Sequence, residues 1–136
     1  MTRREARELA FILLFEQTFS PQATIGDILQ AAGEARGVEE DEFALSLAQG
    51  TAEHLSEIDA KITAYSVNWN KDRLSRVALS LLRLCVYEIF YRDDIPVRVS
   101  INEAVELAKT YGGADDASFV NGVLGGIARA DAPAQT

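Results

Sequence analysis

The sequence has few of the residues that form cross-links and metal centres. Its 136 residues include one cysteine and one histidine. A single cysteine excludes an internal disulfide and suits a reducing compartment, so we expect a cytoplasmic protein. His54 lacks the second histidine or the cysteine cluster that a metal site would require, which favours a structural role for it. The sequence therefore predicts neither a metal nor another cofactor.

Motifs for catalysis and for membrane insertion are absent as well. No phosphate-binding loop, dinucleotide-binding fingerprint, nucleophile elbow or zinc-ligand spacing occurs. Cys85 lies in the most apolar part of the chain, where a thiol packs rather than reacts. That part, residues 75–92, is interrupted by charges and too short to span a bilayer, and Glu5 and Glu8 argue against a signal peptide. We therefore predict a protein that is neither an enzyme nor membrane-bound.

Apolar residues recur at helical spacing along the chain, and no segment of useful length has strand periodicity, so we predict an all-α fold. The most apolar helix covers residues 75–92. Its apolar side chains surround nearly the whole circumference, and such a helix is buried with neighbours on several sides. Ser75 is a suitable N-cap, and Pro96 stops the helix from continuing. We expect this helix at the centre of one domain that spans residues 1–136.

Local signals predict where the other helices begin. Capping boxes mark three starts: Thr2 with Glu5, Thr24 with Asp27, and Ser100 with Glu103. Helical spacing from Ala44 to Tyr65 predicts one helix of about six turns that continues through Gly50. Residues 97–99 are expected to be extended, and the last helix is expected to follow residues 115–116.

The remaining segments are expected to form a loop, a close helix contact and a frayed end. Residues 69–72 are typical of a loop in which the tryptophan fills the junction between helix groups. Gly122, Gly125 and Gly126 predict the close approach of another backbone, because glycine in a helix costs about 1 kcal/mol relative to alanine. Residues 131–136 are small and polar and are expected to fray.

Negative charge is concentrated in one quarter of the chain. The formal net charge is −8, and residues 27–59 alone hold nine acidic residues against one arginine, which gives the whole −8. The start of the chain carries Arg3, Arg4 and Arg7, although a helix dipole disfavours cations there by roughly a few tenths of a kcal/mol each. Two interpretations stay open. The arginines bind phosphates of a nucleic acid, or they form a solvated helix end with an Arg4–Glu8 pair.

Five short sequence blocks together resemble one protein family. They are REARE at residues 4–8, LRL at 82–84 followed by Tyr87 and Glu88, RDDIP at 92–96, INEAVELAK at 101–109 and FVNGVL at 119–124. Each block alone is weak, but the order and spacing of the last three make the combination specific, and the match runs from about residue 3 to residue 129. On these residues the chain resembles the NusB family of transcription antitermination factors.

The resemblance implies an all-helical fold of two packed three-helix groups. It also implies a non-enzymatic function, because NusB-like proteins bind boxA RNA in ribosomal RNA leader transcripts together with NusE. NusE is a ribosomal small-subunit protein that doubles as a transcription factor. The pair helps RNA polymerase to read through terminators, so the transcribing polymerase complex is an indirect partner.

The resemblance further implies which residues touch RNA. The matching positions are Arg3, Arg4, Arg7, Tyr111, Asp115 and Phe119. The arginines correspond to the family's arginine-rich start. The other three correspond to positions around the start of the last helix, where rings can stack on unpaired bases. For Phe119, packing in the core is the alternative.

Two further positions correspond to those that the family uses toward NusE. Phe15 matches an aromatic position, and Ala78 stands where an acidic residue can make a contact. Other readings of the chain are an accessory domain of an RNA-modifying system and a homo-oligomer, such as a homodimer, that masks its RNA face. NusB-like domains precede some ribosomal RNA methyltransferases, but the glycine-rich loops of a methyl-donor domain do not occur in this sequence.

Overall fold

The structure, a computed structural model, describes residues 1–65 and 74–130. These residues contain seven helices and no strand. The helices are α1 (Arg3–Gln17), α2 (Ile25–Arg36), α3 (Glu42–Glu53), α4 (Leu55–Ala64), α5 (Arg76–Tyr91), α6 (Val97–Tyr111) and α7 (Ala114–Ala130). The predictions for the loop at residues 69–72 and for the tail at residues 131–136 lie outside the described residues.

The helices form two groups of three, as predicted. Helices α1, α2 and α3 pack on one another, and so do α5, α6 and α7. Helix α4 lies mainly against α5, which also contacts α1 and α3 and so joins the two groups. None of the helices described is long and apolar enough to cross a membrane.

The predicted central helix is confirmed in α5. Eleven of its 16 residues are buried. The Ser75 hydroxyl caps it by accepting a hydrogen bond from the backbone N–H of Ala78 at 3.0 Å. One continuous core surrounds it, to which Leu13 of α1, Leu47 of α3 and Leu124 of α7 each contribute a fully buried side chain. Burial of this apolar surface is the main source of stability.

Two of the three predicted capping boxes are confirmed, at Thr2–Glu5 and Thr24–Asp27. The third is wrong, because α6 begins directly after Pro96, so residues 97–99 form its first turn instead of an extended segment. Ser100 is buried inside the helix, and its hydroxyl donates to Glu88 Oε1 at 2.8 Å. A long-range polar contact therefore takes the hydroxyl that the local pattern assigned to a cap.

The single helix predicted from Ala44 to Tyr65 is divided at His54. The backbone there has φ −118° and ψ 21°, so α3 ends and α4 begins at this residue. The His54 ring lies 2.8 Å through Nδ1 from the Gly50 carbonyl and 4.2 Å between centroids from Tyr91. The ring takes the carbonyl that a continuous α-helix would pair with a backbone N–H.

The close backbone approach predicted at the α7 glycines is not present among the described residues. A Cβ at Gly122 would have no described neighbour within 4 Å, and those at Gly125 and Gly126 would meet only side chains. A close approach occurs instead at Gly50, where an added Cβ would lie 2.2 Å from the Tyr87 ring. Glycine in α3 therefore lets α5 pack tightly.

Candidate nucleic-acid interface

The capping box at the start of α1 fixes the position of the first two arginines. Thr2 and Glu5 exchange hydrogen bonds, from Glu5 N to Thr2 Oγ1 at 3.1 Å and from Thr2 N to Glu5 Oε1 at 3.0 Å. The hydrogen bond from the Thr2 backbone N–H is the main cause that holds the pKa of the Glu5 carboxyl below its ordinary value. Arg3 and Arg4 follow directly, and both are exposed. The guanidinium of Arg3 lies 3.9 Å from the ring centroid of Phe43 in α3.

Arg4 reaches from α1 to α6 and pairs there with Glu103, not with Glu8 as in the solvated-end interpretation. It donates from Nε to Glu103 Oε2 at 3.1 Å and from Nη2 to Glu103 Oε1 at 2.9 Å. The hydrogen bonds to Glu103 and its charge raise the pKa of the guanidinium. The Arg4 side chain is nevertheless 73% exposed, so its remaining N–H groups face solvent.

Tyr111, at the end of α6, is one of the few large hydrophobic side chains of the described residues that are exposed to solvent. Its ring is 44% exposed and lies 5.1 Å from the ring centroid of Phe11 in α1. Partial burial and the neighbouring Glu8 carboxylate raise the pKa of its hydroxyl. Arg4 and Tyr111 therefore both bridge α1 and α6, and Glu103, the partner of Arg4, precedes Tyr111 by eight positions, about 12 Å along the helix.

A tight turn joins Tyr111 to the start of α7. Gly113 has φ 101°, a conformation that favours glycine, and its N–H donates to the Ala108 carbonyl at 2.9 Å. Asp115 lies in the first turn of α7, four residues after Tyr111, and is exposed. The carboxylate of Asp116 accepts a hydrogen bond from the Ser75 hydroxyl at 2.9 Å.

Phe119 lies one turn after Asp115 and is half-buried against the core. Part of its ring packs on the core and part is accessible to solvent. An open groove of about 610 Å³ lies between α6 and α7. Its lining residues are Val105, Lys109, Ala114, Ala117, Ser118 and Asn121. The polar members of this lining were not singled out from the sequence.

Aromatic rings continue toward the other end of α1. Phe15 is half-buried, and its ring lies 5.3 Å from that of Phe19, which follows α1 and is 60% exposed. Arg76 places its guanidinium 4.3 Å from the Phe19 centroid and donates to the Thr18 carbonyl at 2.7 Å. Neither Phe19 nor Arg76 was predicted from the sequence as part of the site. The spacing of Phe15 and Phe19, four residues apart, is the signal that could have found Phe19.

Comparison with known proteins decides the family. The model of the NusB family matches residues 4–129, nearly the whole chain. The chain belongs to the NusB family. It is 45% identical over 131 residues to the transcription antitermination protein NusB of Listeria welshimeri, which covers 96% of this chain and 99% of that protein.

Two solved structures of NusB proteins share the fold. NusB of T. maritima superposes with a TM-score of 0.86 at 36% identity, covering 98% of this chain and 94% of that one. A crystal structure of the antitermination factors NusB and NusE in complex with double-stranded RNA gives a TM-score of 0.82 at 28% identity. That match covers 94% of this chain and 96% of that chain.

One RNA position implied by the NusB resemblance needs correction. The Arg7 side chain is only 5% exposed and forms an ion pair with Glu88, which is 1% exposed. Its Nε and Nη2 donate to the Glu88 carboxylate at 3.0–3.2 Å, and Ser100 supplies a further hydrogen bond. A phosphate could reach Arg7 only by breaking a buried pair, so we assign Arg7 a structural role.

A second correction concerns the side facing the partner. Ala78 is fully buried within α5, so a docking protein cannot touch it. The resemblance implies a position where an acidic residue can contact NusE. In this chain the position holds Ala78, which has no atom exposed to solvent. Phe15 keeps its half-exposed ring, and Phe19 beside it presents the larger exposed surface.

The described residues contain no group of three or more potential metal ligands. Cys85 is buried in α5, and burial raises the pKa of its thiol well above the ordinary value, with the Glu88 charge acting in the same direction. A thiol that stays protonated is a poor nucleophile and a poor metal ligand. The described residues of this interface present guanidinium groups, carboxylates and aromatic rings, which offer hydrogen bonding, charge pairing and ring stacking.

Proposed function

We propose that this chain is a non-enzymatic transcription antitermination factor that binds RNA together with NusE. Membership of the NusB family supports this function, and so does the likeness to a NusB structure solved with NusE and RNA. The target carried over from the sequence resemblance is boxA RNA of ribosomal RNA leader transcripts. We further propose that the chain acts in the cytoplasm and as one domain. All seven helices contribute to one core, which supports the single domain.

The RNA surface consists of Arg3, Arg4, Tyr111, Asp115 and Phe119. The observation that carries the proposal is that α1 and α6 present an exposed guanidinium at Arg4 and an exposed aromatic ring at Tyr111, and each of these side chains contacts the other helix. Guanidinium groups bind phosphates, and exposed rings stack on unpaired bases. Single-stranded RNA is the ligand that uses both groups.

The NusE surface is formed by Phe15 and Phe19, with Arg76 stacked on the Phe19 ring. An exposed aromatic side chain held in place by a guanidinium is typical of the residues that dominate protein interfaces. Docking of NusE here would add its own RNA contacts to the few that this acidic chain offers. A chain of net charge −8 with two exposed arginines at the site should bind RNA weakly alone.

Binding of boxA-like and scrambled RNA, with and without NusE, tests the proposal. We expect tight, sequence-dependent binding only in the presence of NusE, and RNA should tighten the protein pair by the same factor. A double-stranded RNA arm tests the preference for single strands. Equal affinity for boxA-like RNA with and without NusE would contradict the joint site.

Phe15→Asp separates the two surfaces. A carboxylate at the aromatic contact should weaken NusE binding, because a charge would be buried without a partner. RNA binding should change only when NusE is present. If the variant weakened RNA binding equally in the absence of NusE, the two surfaces would not be separate.

A homo-oligomer that masks the RNA face is the second candidate, and the exposed Tyr111 ring on that face is the observation that favours it. A second copy of the chain would cover this ring and compete with RNA. Sedimentation over a range of concentrations distinguishes the monomer from the oligomer, and Tyr111→Ser should abolish any self-association. The accessory-domain reading is less well supported, because the relatives are themselves named antitermination proteins.

A further inference from the structure

We propose that Glu103 is an internal competitor of RNA, whose carboxylate occupies Arg4 in the free protein and is displaced by a phosphate on binding. The inference rests on the proposed RNA contact of Arg4. Glu103 would then be a positioning residue: it lowers the affinity for RNA through Arg4 and does not itself contact RNA.

The geometry of the Arg4–Glu103 pair resembles that of an arginine–phosphate contact. Two parallel hydrogen bonds, of 2.9 and 3.1 Å, join the guanidinium to both carboxylate oxygens. Carboxylate and phosphate accept this fork in the same way. Arg4 cannot present its Nε and Nη2 fork to both acceptors, so a phosphate that takes this fork displaces Glu103.

The exposure of the pair permits displacement. Arg4 is 73% exposed and Glu103 is 17% exposed, so an incoming phosphate can approach the arginine from solvent while the carboxylate stays close to α6. Exposed pairs of this kind add little to folding stability. The buried Arg7–Glu88 pair differs, because Ser100 also binds that carboxylate and solvent does not reach it.

Displacement has a consequence for the salt dependence of binding. When a phosphate takes Arg4, the Glu103 carboxylate is left unpaired beside the RNA and attracts a cation, which offsets part of the counterion release. The Arg4 contact therefore adds less than the usual ~0.7 to the salt slope. Removing the Glu103 charge should restore the full contribution.

The test compares Glu103→Gln with the wild-type chain on a boxA-like single-stranded RNA oligonucleotide. We expect about two- to fivefold tighter binding, the range for loss of an exposed ion pair. The salt slope should steepen by up to ~0.7. Glu103→Ala should behave alike, which excludes a new bond from the glutamine amide. Thermal unfolding should stay near that of the wild type.

Two controls make the outcome specific. Glu106→Gln removes the same charge one turn away, from an exposed residue that pairs with Lys109. It should change affinity less than Glu103→Gln does, and equal effects would overturn displacement in favour of general repulsion. In an Arg4→Ala background, Glu103→Gln should have no effect on RNA binding.

The two proposals fail in distinguishable ways. If Arg4→Ala leaves RNA binding unchanged, the RNA contact of Arg4 in the proposed function is wrong. If Arg4→Ala weakens binding while Glu103→Gln changes neither the affinity nor the salt slope, the contact stands and the competition by Glu103 is wrong.

Discussion

The first and second turns of α1 carry similar arginines with opposite environments. Arg3 and Arg4 are exposed at the helix start, whereas Arg7, three residues later, lies in the core. Arg4 meets a partly buried acid on α6, and Arg7 meets a fully buried one in α5. The acid on the facing helix therefore decides whether an arginine stays accessible to a ligand or stabilises the core.

Loss of the buried Arg7–Glu88 pair should have the largest effect on stability. Arg7→Ala leaves the Glu88 carboxylate buried without its cation, which should lower the free energy of unfolding by about 3–5 kcal/mol. Denaturant unfolding measures this change. A loss under about 1 kcal/mol would mean that Glu88 finds solvent or another donor.

The matched control replaces both charged groups. In Arg7→Met with Glu88→Leu no buried charge remains, so most of the stability should return. The double variant should also keep its RNA affinity, because neither residue belongs to the proposed surface. Weakened RNA binding by this folded variant would return Arg7 to that surface.

Tyr111→Ala removes the exposed ring of the proposed RNA surface. Loss of a stacked base should weaken RNA binding by about 1–3 kcal/mol with little change in stability. Tyr111→Phe keeps the ring and should bind nearly as the wild type does, as titration calorimetry can check. Equal losses in both variants would point to the hydroxyl group and contradict stacking.

The smallest expected effect is at the capping box that presents the exposed arginines. Thr2→Ala should cost about 0.5–2 kcal/mol of stability through loss of the cap. Thermal unfolding gives this value, and RNA affinity should fall slightly as the first turn frays. Glu5 has a lowered pKa in the folded chain, so the stabilisation that it supplies is present above its unfolded pKa. It should be lost as the pH falls through the lower folded value.

The parts of the fold with local causes could be predicted from the sequence. Helix α5 is apolar nearly all round, and the boxes at Thr2 and Thr24 are complete within four residues. Ser100 also matched a local pattern, but Pro96 starts the helix earlier and buried Glu88 takes the hydroxyl. A long-range contact of this kind leaves no local signal.

The candidate site was predictable as a region more than as a set of residues. Nothing in the local sequence separates Arg7 from Arg3, because the difference lies in Glu88, 81 positions away. Glu88 was itself a signal, since a carboxylate inside an apolar helix requires a buried partner. Glu103 looked like half of a capping box, and its pairing with Arg4, 99 positions away, leaves no signal in the local sequence.

In the proposed function RNA binds the exposed Arg3 and Arg4 and not the buried Arg7. This claim is tested most directly by the salt dependence of boxA-like RNA binding, with NusE present, for three chains: the wild type, Arg3→Ala with Arg4→Ala, and Arg7→Met with Glu88→Leu. The first pair of substitutions should lower the slope by about 0.7–1.4, with the lower end expected if release of Glu103 offsets one contact. The second pair should leave the slope unchanged. A lowered slope only in the second pair would contradict the account.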